Sequence, residues 1–257
     1  MSDTVFMADL SWKTYAERVK QGVVMFLPLG ATEQHGPHLP MSTDALTSAG
    51  ISAGVAREVG GLVAPTVNFG YKSQPRMGGG QDFIGTTSLD ATTFATVLRD
   101  IIRDLARHGI RKLVVLNGHY ENMMFSIEGI DLARRELRYD GIEDMKIMRL
   151  EYWDFTRPET LVELFPEGFP GYALEHAAVM ETSMMLHLHP ELVDMSQLPD
   201  EPAAEFPPYD IYPTRPEWVP CSGVLSPPKG ASAEKGKLLF DDYVVGISAA
   251  VRQEFDL

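Results

Sequence analysis

The stretch Val-Val-Met-Phe-Leu-Pro-Leu-Gly-Ala-Thr-Glu-Gln-His-Gly, residues 23–36, decides the fold. Val23–Leu29 is apolar without alternation, the pattern of a strand buried on both faces of a parallel sheet. At Gly30 the run breaks into the polar cluster Thr32, Glu33, Gln34, His35 and Gly36. The same sequence of events recurs at Leu113–Leu116, which is followed by Asn117, Gly118, His119, Tyr120, Glu121 and Asn122. Leu62–Val67 and Lys146–Leu150 read as two more strands.

Helical spacing lies between these runs. Phe94, Val97, Leu98, Ile101, Ile102 and Leu105 share one face, with Asp90 as the expected N-cap and Gly109 as the expected C′ residue. Further helices are predicted over 43–59 and 122–139, and near the C-terminus on the stripe Leu239, Phe240, Tyr243, Val244, Ile247 and Val251. Strands alternating with helices predict an α/β fold, a three-layer α/β/α domain spanning 1–257 with a mostly parallel central sheet. Residues 199–235 depart from this. They hold half of the 18 prolines and read as an ordered excursion, either across their own domain or against another subunit.

The chain has 257 residues, 44% hydrophobic and 23% charged, which excludes a disordered chain and a small disulfide scaffold. A net charge of −14 opposes nucleic-acid binding and docking on an anionic membrane, and says nothing against a small neutral or cationic molecule as substrate. With Cys221 as the single cysteine, no intramolecular disulfide and no thiolate cluster can form. Any metal site must use His, Asp and Glu. The N-terminus lacks the basic start and apolar run of a signal peptide, and no apolar stretch approaches the roughly 18 residues of a membrane span. The expected location is cytoplasmic.

Ligands of open α/β sheets bind beyond the carboxyl ends of the strands. Two adjacent strand ends would bring Glu33, His35, Asp44, His119 and Glu121 together, a sulfur-free donor set that suits Zn²⁺ or Mn²⁺ and is large enough for two ions. Spacing alone leaves two solvated loops as the other reading. His and an acid stand two apart at Glu33/His35, His119/Glu121 and His189/Glu191, and the third follows no strand and reads as background. On spacing alone, Glu181 reads as a surface-facing helix residue, and His176 as a residue at a helix start. His187 and His189 read as packed or capping residues. Met77-Gly78-Gly79-Gly80 lacks the Gly-Lys-Ser/Thr ending of a phosphate loop and reads as a close approach of backbone to a ligand or subunit. Tyr120, Trp153 and Tyr172 would pack in the core or stack on a planar substrate.

Residues 30–36 (GATEQHG), Asp44, residues 117–122 (NGHYEN), and Glu175-His176 with Glu181 resemble the creatininase (creatinine amidohydrolase) family. The similarity extends to residues 71–74, 85–90, 128–133, 152–155 and 206–210, nearly the whole chain. The resemblance implies two divalent ions per subunit, Zn²⁺ or Mn²⁺, a homohexamer, and hydrolysis of a small cyclic amide, with creatinine and creatine interconverted. It implies that Glu33, Asp44 and His119 hold one ion and that His35, Asp44 and Glu181 hold the other. Glu121 would move protons and His176 would assist. Tyr120, Trp153, Tyr172, Met77 and Glu175 would meet the substrate. Met77, Tyr172 and Ala173 stand where the family pattern has a serine, a tryptophan and an acidic residue. All three fall on the substrate side, and they motivate the first of two alternatives. One is action on another ring or formyl substrate, such as C–C hydrolysis of a cyclic polyol diketone. The other is a metal-binding protein without turnover.

Overall fold

The computed structural model describes residues 4–257. Four strands, β1 (Val24–Leu29), β2 (Leu62–Val63), β3 (Lys112–Asn117) and β4 (Lys146–Glu151), pair entirely in parallel in the order β2-β1-β3-β4. Eight α-helices are interleaved with them: α1 (Trp12–Lys20), α2 (Thr43–Val59), α3 (Pro75–Gly78), α4 (Ala91–His108), α5 (Asn122–Tyr139), α6 (Pro158–Leu164), α7 (Val179–Leu188) and α8 (Ala233–Phe255).

Side chains alternate across the sheet, and each face finds its own helices. Val24, Phe26, Val114 and Leu116 pack with Ile51 and Val55 of α2, Met180 and Met184 of α7, and Leu239, Tyr243 and Ile247 of α8. Met25, Leu27, Leu113 and Val115 point the other way, against Phe94, Leu98 and Ile102 of α4 and Ala133 and Leu137 of α5. These are the three layers that the unbroken apolar strands require.

The helices over 43–59 and 122–139 have the expected bounds. Gly109 ends α4 in the left-handed region at φ 106°. Asp90 occupies the N-cap position, but its carboxylate pairs with Lys72 rather than with a first-turn amide. The expected strand over 62–67 is cut short. Pro65 and Pro28 both lack an N–H here, so beyond Val63 the regular strand stops and the pairing continues through Ala64 N to Phe26 O at 2.8 Å, Val67 N to Pro28 O at 3.0 Å, Gly30 N to Val67 O at 2.9 Å and an isolated bridge. The proline-rich stretch is ordered against its own domain: Ala204 N donates to Leu225 O, and Leu225 N to His176 O. No helix among the described residues is long and apolar enough to cross a membrane.

The chain moves outward from β1 to β2, then returns past β1 to β3 and β4. The sheet therefore has its topological switch between β1 and β3, where open α/β sheets form a crevice beyond the strand ends.

Candidate active site

β1 and β3 end level with each other, Leu29 opposite Asn117, and the Gly118 amide donates to Leu29 O at 2.8 Å. A Cβ at Gly118 would lie 2.7 Å from the Asp44 carbonyl oxygen and 2.9 Å from Ser48 Cβ. Only glycine lets the first turn of α2 settle onto the strand ends. Asp44 is thereby carried between the two loops.

Its carboxylate, 2% exposed, meets both imidazoles: Oδ1 is 3.0 Å from His35 Nε2, and Oδ2 is 3.0 Å from His119 Nδ1. Glu33 Oε2 lies 3.1 Å from His119 Nδ1, and Glu181 Oε2 lies 3.5 Å from His35 Nε2. The result is two triads, Glu33–Asp44–His119 and His35–Asp44–Glu181, with the candidate donor atoms of each within 4.8 Å of one another. Asp44 belongs to both. Glu33, His35 and His176 form a third such group.

Backbone carbonyls orient the rings. His35 Nδ1 donates to the Glu33 carbonyl at 3.1 Å, which turns Nε2 toward Asp44 and Glu181. His119 uses the opposite nitrogens: Nε2 donates to the Tyr71 carbonyl at 3.0 Å, and Nδ1 faces Glu33 and Asp44. Asn117 closes its own loop, donating to His119 O at 2.8 Å and accepting from His119 N at 3.2 Å. Such support fixes a ligating imidazole in one tautomer. Glu33 Oε1, His35 Nε2 and Asp44 Oδ2 are buried without a hydrogen-bond partner. Orphaned polar atoms are costly, and a cation in each of the two triads would satisfy them. Nitrogen and oxygen donors without sulfur fit Zn²⁺ or Mn²⁺.

The electrostatics agree. Burial opposes protonation of His35, yet Asp44 and Glu181 outweigh it and hold the imidazole well above its usual range. Glu121 and Glu33 do the same for His119. The cluster demands positive charge.

Glu121 sits beside this cluster. Its Oε1 accepts from Gln74 N at 2.7 Å, and its Oε2 lies 3.4 Å from His119 Nε2. Burial pushes its carboxyl up to about 7. His176 is buried, with Nε2 on the Gln34 carbonyl at 2.8 Å and its ring 4.3 Å from that of His35. Glu175 is buried as well. Its Oε2 accepts from Met180 N at 2.8 Å, its Oε1 has no partner, and burial pushes its carboxyl up to about 8.

A cavity opens over these groups, walled by Met77, Tyr120, Trp153 and Tyr172. The Tyr120 and Trp153 rings are nearly parallel, 12° apart with centroids separated by 6.0 Å. The Tyr172 hydroxyl donates to the Trp153 carbonyl at 3.0 Å. Of the expected metal ligands, His35 does not line the cavity, because its Nε2 is enclosed by Asp44 and Glu181.

Several expectations change. Glu181 does not face the surface. It lies in the first turn of α7, with Oε2 2.6 Å from the Ala177 amide and turned to His35. The reversal of the chain at Ala177, φ 55°, sets this direction, which helical spacing could not show. His176 precedes α7 inside that turn rather than starting the helix. Ala173 is exposed and does not line the cavity, because successive side chains of the short turn Tyr172–Leu174 point apart. The close approach expected of the glycine-rich stretch is to a side chain of the same molecule: a Cβ at Gly78 would lie 2.0 Å from Glu33 Oε1. His189 and Glu191 form an exposed contact at 3.4 Å, and His187 packs on Phe240 with ring centroids 5.2 Å apart.

Two contributors went unread in the sequence. Gln34 donates to the carbonyls of Gly78 at 3.1 Å and Gly223 at 2.9 Å, and so ties the glycine-rich and proline-rich segments to the site. Tyr152, buried and lining the cavity, follows the last residue of β4. Its place at a third strand end was the available signal.

The family described as creatinine amidohydrolase (creatininase) matches residues 8–251. The chain is 52% identical to the creatinine amidohydrolase of Pseudomonas putida, over 99% of each protein. It is similar to a mutant creatininase complexed with creatine, with a TM-score of 0.96 and 51% identity over 98% of this chain and 99% of the other. A zinc–zinc form of a mutant creatininase superposes with a TM-score of 0.97 and 51% identity over 99% of each chain. A sheet with its crevice at the β1/β3 switch, two triads sharing Asp44 and agreement along the whole length have one explanation: the chain belongs to the creatininase (creatinine amidohydrolase) family.

Proposed function

We propose that the protein is a metal-dependent amidohydrolase that interconverts creatinine and creatine. The observation that carries this is the pair of triads sharing Asp44 at the floor of a cavity walled by aromatic rings. Glu33, Asp44 and His119 would hold one divalent ion, and His35, Asp44 and Glu181 the other, as Zn²⁺ or Mn²⁺. Bound there, two such ions supply Lewis acidity, lowering the pKa of water and polarising a carbonyl.

The chain does the rest. Trp153 offers a flat wall for a planar ring, steadied by Tyr120 and by the hydroxyl of Tyr172 on its carbonyl. Glu121, anchored through Oε1 on the Gln74 amide, keeps Oε2 for the proton of the attacking water. It passes that proton to the ring nitrogen as the amide C–N bond breaks; the carbonyl carbon keeps the hydroxyl, and the carboxylic acid so formed gives its proton to the guanidino group, leaving the carboxylate and guanidinium of creatine. His176, fixed through Nε2 on Gln34, keeps its other ring nitrogen for the substrate. Glu175 Oε1 and Met77 complete the substrate side.

Identity of 52% over the whole chain to a creatinine amidohydrolase favours creatinine over another ring or a formyl substrate, and favours turnover over mere metal binding. The test is conversion of creatinine to creatine, and the reverse, by protein loaded with Zn²⁺ or Mn²⁺. The expected rate is on the order of 1–10³ per second, abolished by chelation. Negligible turnover by a chain holding two ions would reject creatinine and send the search to other rings. Family membership also carries a homohexamer of one-domain subunits and a cytoplasmic location as proposals. Sedimentation and cell fractionation check them.

A further inference from the structure

α7 is entered through Ala177, which holds φ 55° although it carries a Cβ and is fully buried. Side chains other than glycine avoid this region, and a strained residue persists only where its surroundings fix it. Both polar groups of Ala177 are engaged. Its N–H donates to Glu181 Oε2 at 2.6 Å, and its carbonyl accepts from the Thr182 hydroxyl at 3.3 Å. Thr182 is fully buried, and having donated to Ala177 its oxygen remains an acceptor. His38 Nε2 lies 2.9 Å from that oxygen, within hydrogen-bond distance. His38 is itself 1% exposed, and its Nδ1 has no partner. The function proposed above uses none of these three residues.

The three are linked end to end: His38 to Thr182, Thr182 to the Ala177 carbonyl, and the Ala177 amide to the carboxylate of Glu181. The chain starts in the loop after β1, which also carries His35, and ends on the residue that faces His35 from α7. It therefore spans the two elements between which an ion would sit.

We propose that His38, Thr182 and the left-handed turn at Ala177 form a latch that positions Glu181 for the ion it would share with His35 and Asp44. The inference rests on the reading of that triad as a metal site. Thr182 and His38 are positioning residues. They touch neither substrate nor ion, and they act through the direction of one carboxylate. Removing the latch would free the Glu181 carboxylate to turn away and leave the Glu33–Asp44–His119 triad intact. Supporting groups of this kind are worth about 10–100-fold in metal affinity.

The experiment is a Zn²⁺ titration of the purified, metal-stripped full chain, read as two binding constants, with thermal melting in parallel. Wild type is expected to bind two ions. Thr182→Val, nearly isosteric, is expected to weaken one constant by about 10–100-fold and leave the other unchanged. Thr182→Ser, which keeps the hydroxyl, is expected to restore it. Ala177→Gly keeps both backbone groups and is expected to bind as wild type does. Two wild-type constants in Thr182→Val would overturn the latch while leaving the metal site standing. Equal weakening by Thr182→Ser and Thr182→Val would overturn it too, because packing rather than the hydroxyl would be responsible. If Thr182→Val does not fold, His38→Leu carries the comparison, with a loss of about 10-fold in the same constant expected and wild-type affinity contradicting the proposal. A wild-type chain that binds no second ion would remove the metal reading, and the latch with it.

Discussion

The two halves of the candidate ligand cluster are held by different means. Glu33, His35 and His119 leave parallel strands whose register is fixed along their length, with Leu29 opposite Asn117. His176 sits in, and Glu181 just after, an irregular turn that a buried alanine holds at positive φ. The strand-end half inherits its geometry from the sheet, so many bonds must fail before it moves. The helix-entry half depends on a few hydrogen bonds around residues 175–182, so single substitutions there should act locally. Asp44 stands between the halves, and Glu121 beside them.

The largest effect should come from the shared residue. Asp44→Asn removes an anionic donor from both triads and is expected to lower binding of both ions and to take turnover to background. A variant that still held two ions at wild-type affinity would break the picture of a common bridge. Glu121→Gln comes next. It keeps the shape but removes the proton acceptor, so kcat should fall by about 10²–10⁴ while both ions stay bound. Retained turnover would show that the proton takes another route.

Gly78→Ala tests the strand-end half alone. Its Cβ would lie 2.0 Å from Glu33 Oε1, so that carboxylate must move. The affinity of the Glu33–Asp44–His119 triad should drop by about 10–100-fold with the Glu181 triad spared. Equal loss at both would mean that the halves are not independent.

Glu175→Gln tests the helix-entry half through stability. The folded state holds the Glu175 proton up to about pH 8, whereas an unfolded glutamate releases it near 4.5. The folded chain therefore binds more protons across that window, and stability falls as pH rises through it. Glutamine lacks this loss. The variant's advantage in Tm should be absent below pH 4.5, grow to pH 8 and then level off. An advantage independent of pH would contradict a buried neutral carboxyl. His189→Ala lies outside both halves, in an exposed contact, and should shift stability by less than about 0.5 kcal/mol.

What the sequence disclosed follows the same division. The four strands, the principal helices and the three layers could be read because Val23–Leu29 and Leu113–Leu116 are apolar on both faces and because helical spacing lies between them. The polar clusters at 32–36 and 117–122 stood out because each follows a buried strand. Bare spacing left Glu181 and His176 as ordinary helix residues. Their inward direction arises from the turn at Ala177, and nothing in an Ala-Ala pair announces a positive φ. Only the likeness to a family placed them in the site. Gln34 was hidden for a related reason: its partners are the carbonyls of Gly78 and Gly223, far away in sequence. The shortened β2 was legible after all, in the missing donors of Pro28 and Pro65.

The central claim is that Asp44 joins two ion sites built on two unlike supports. Crystals of the chain grown with Zn²⁺ and measured across the zinc absorption edge test it directly. The account predicts two anomalous peaks per chain, about 3.5–4 Å apart, one on either side of the Asp44 carboxylate. One is expected against Glu33 and His119, and the other against His35 and Glu181. A single peak, or two peaks that do not share Asp44, would contradict it.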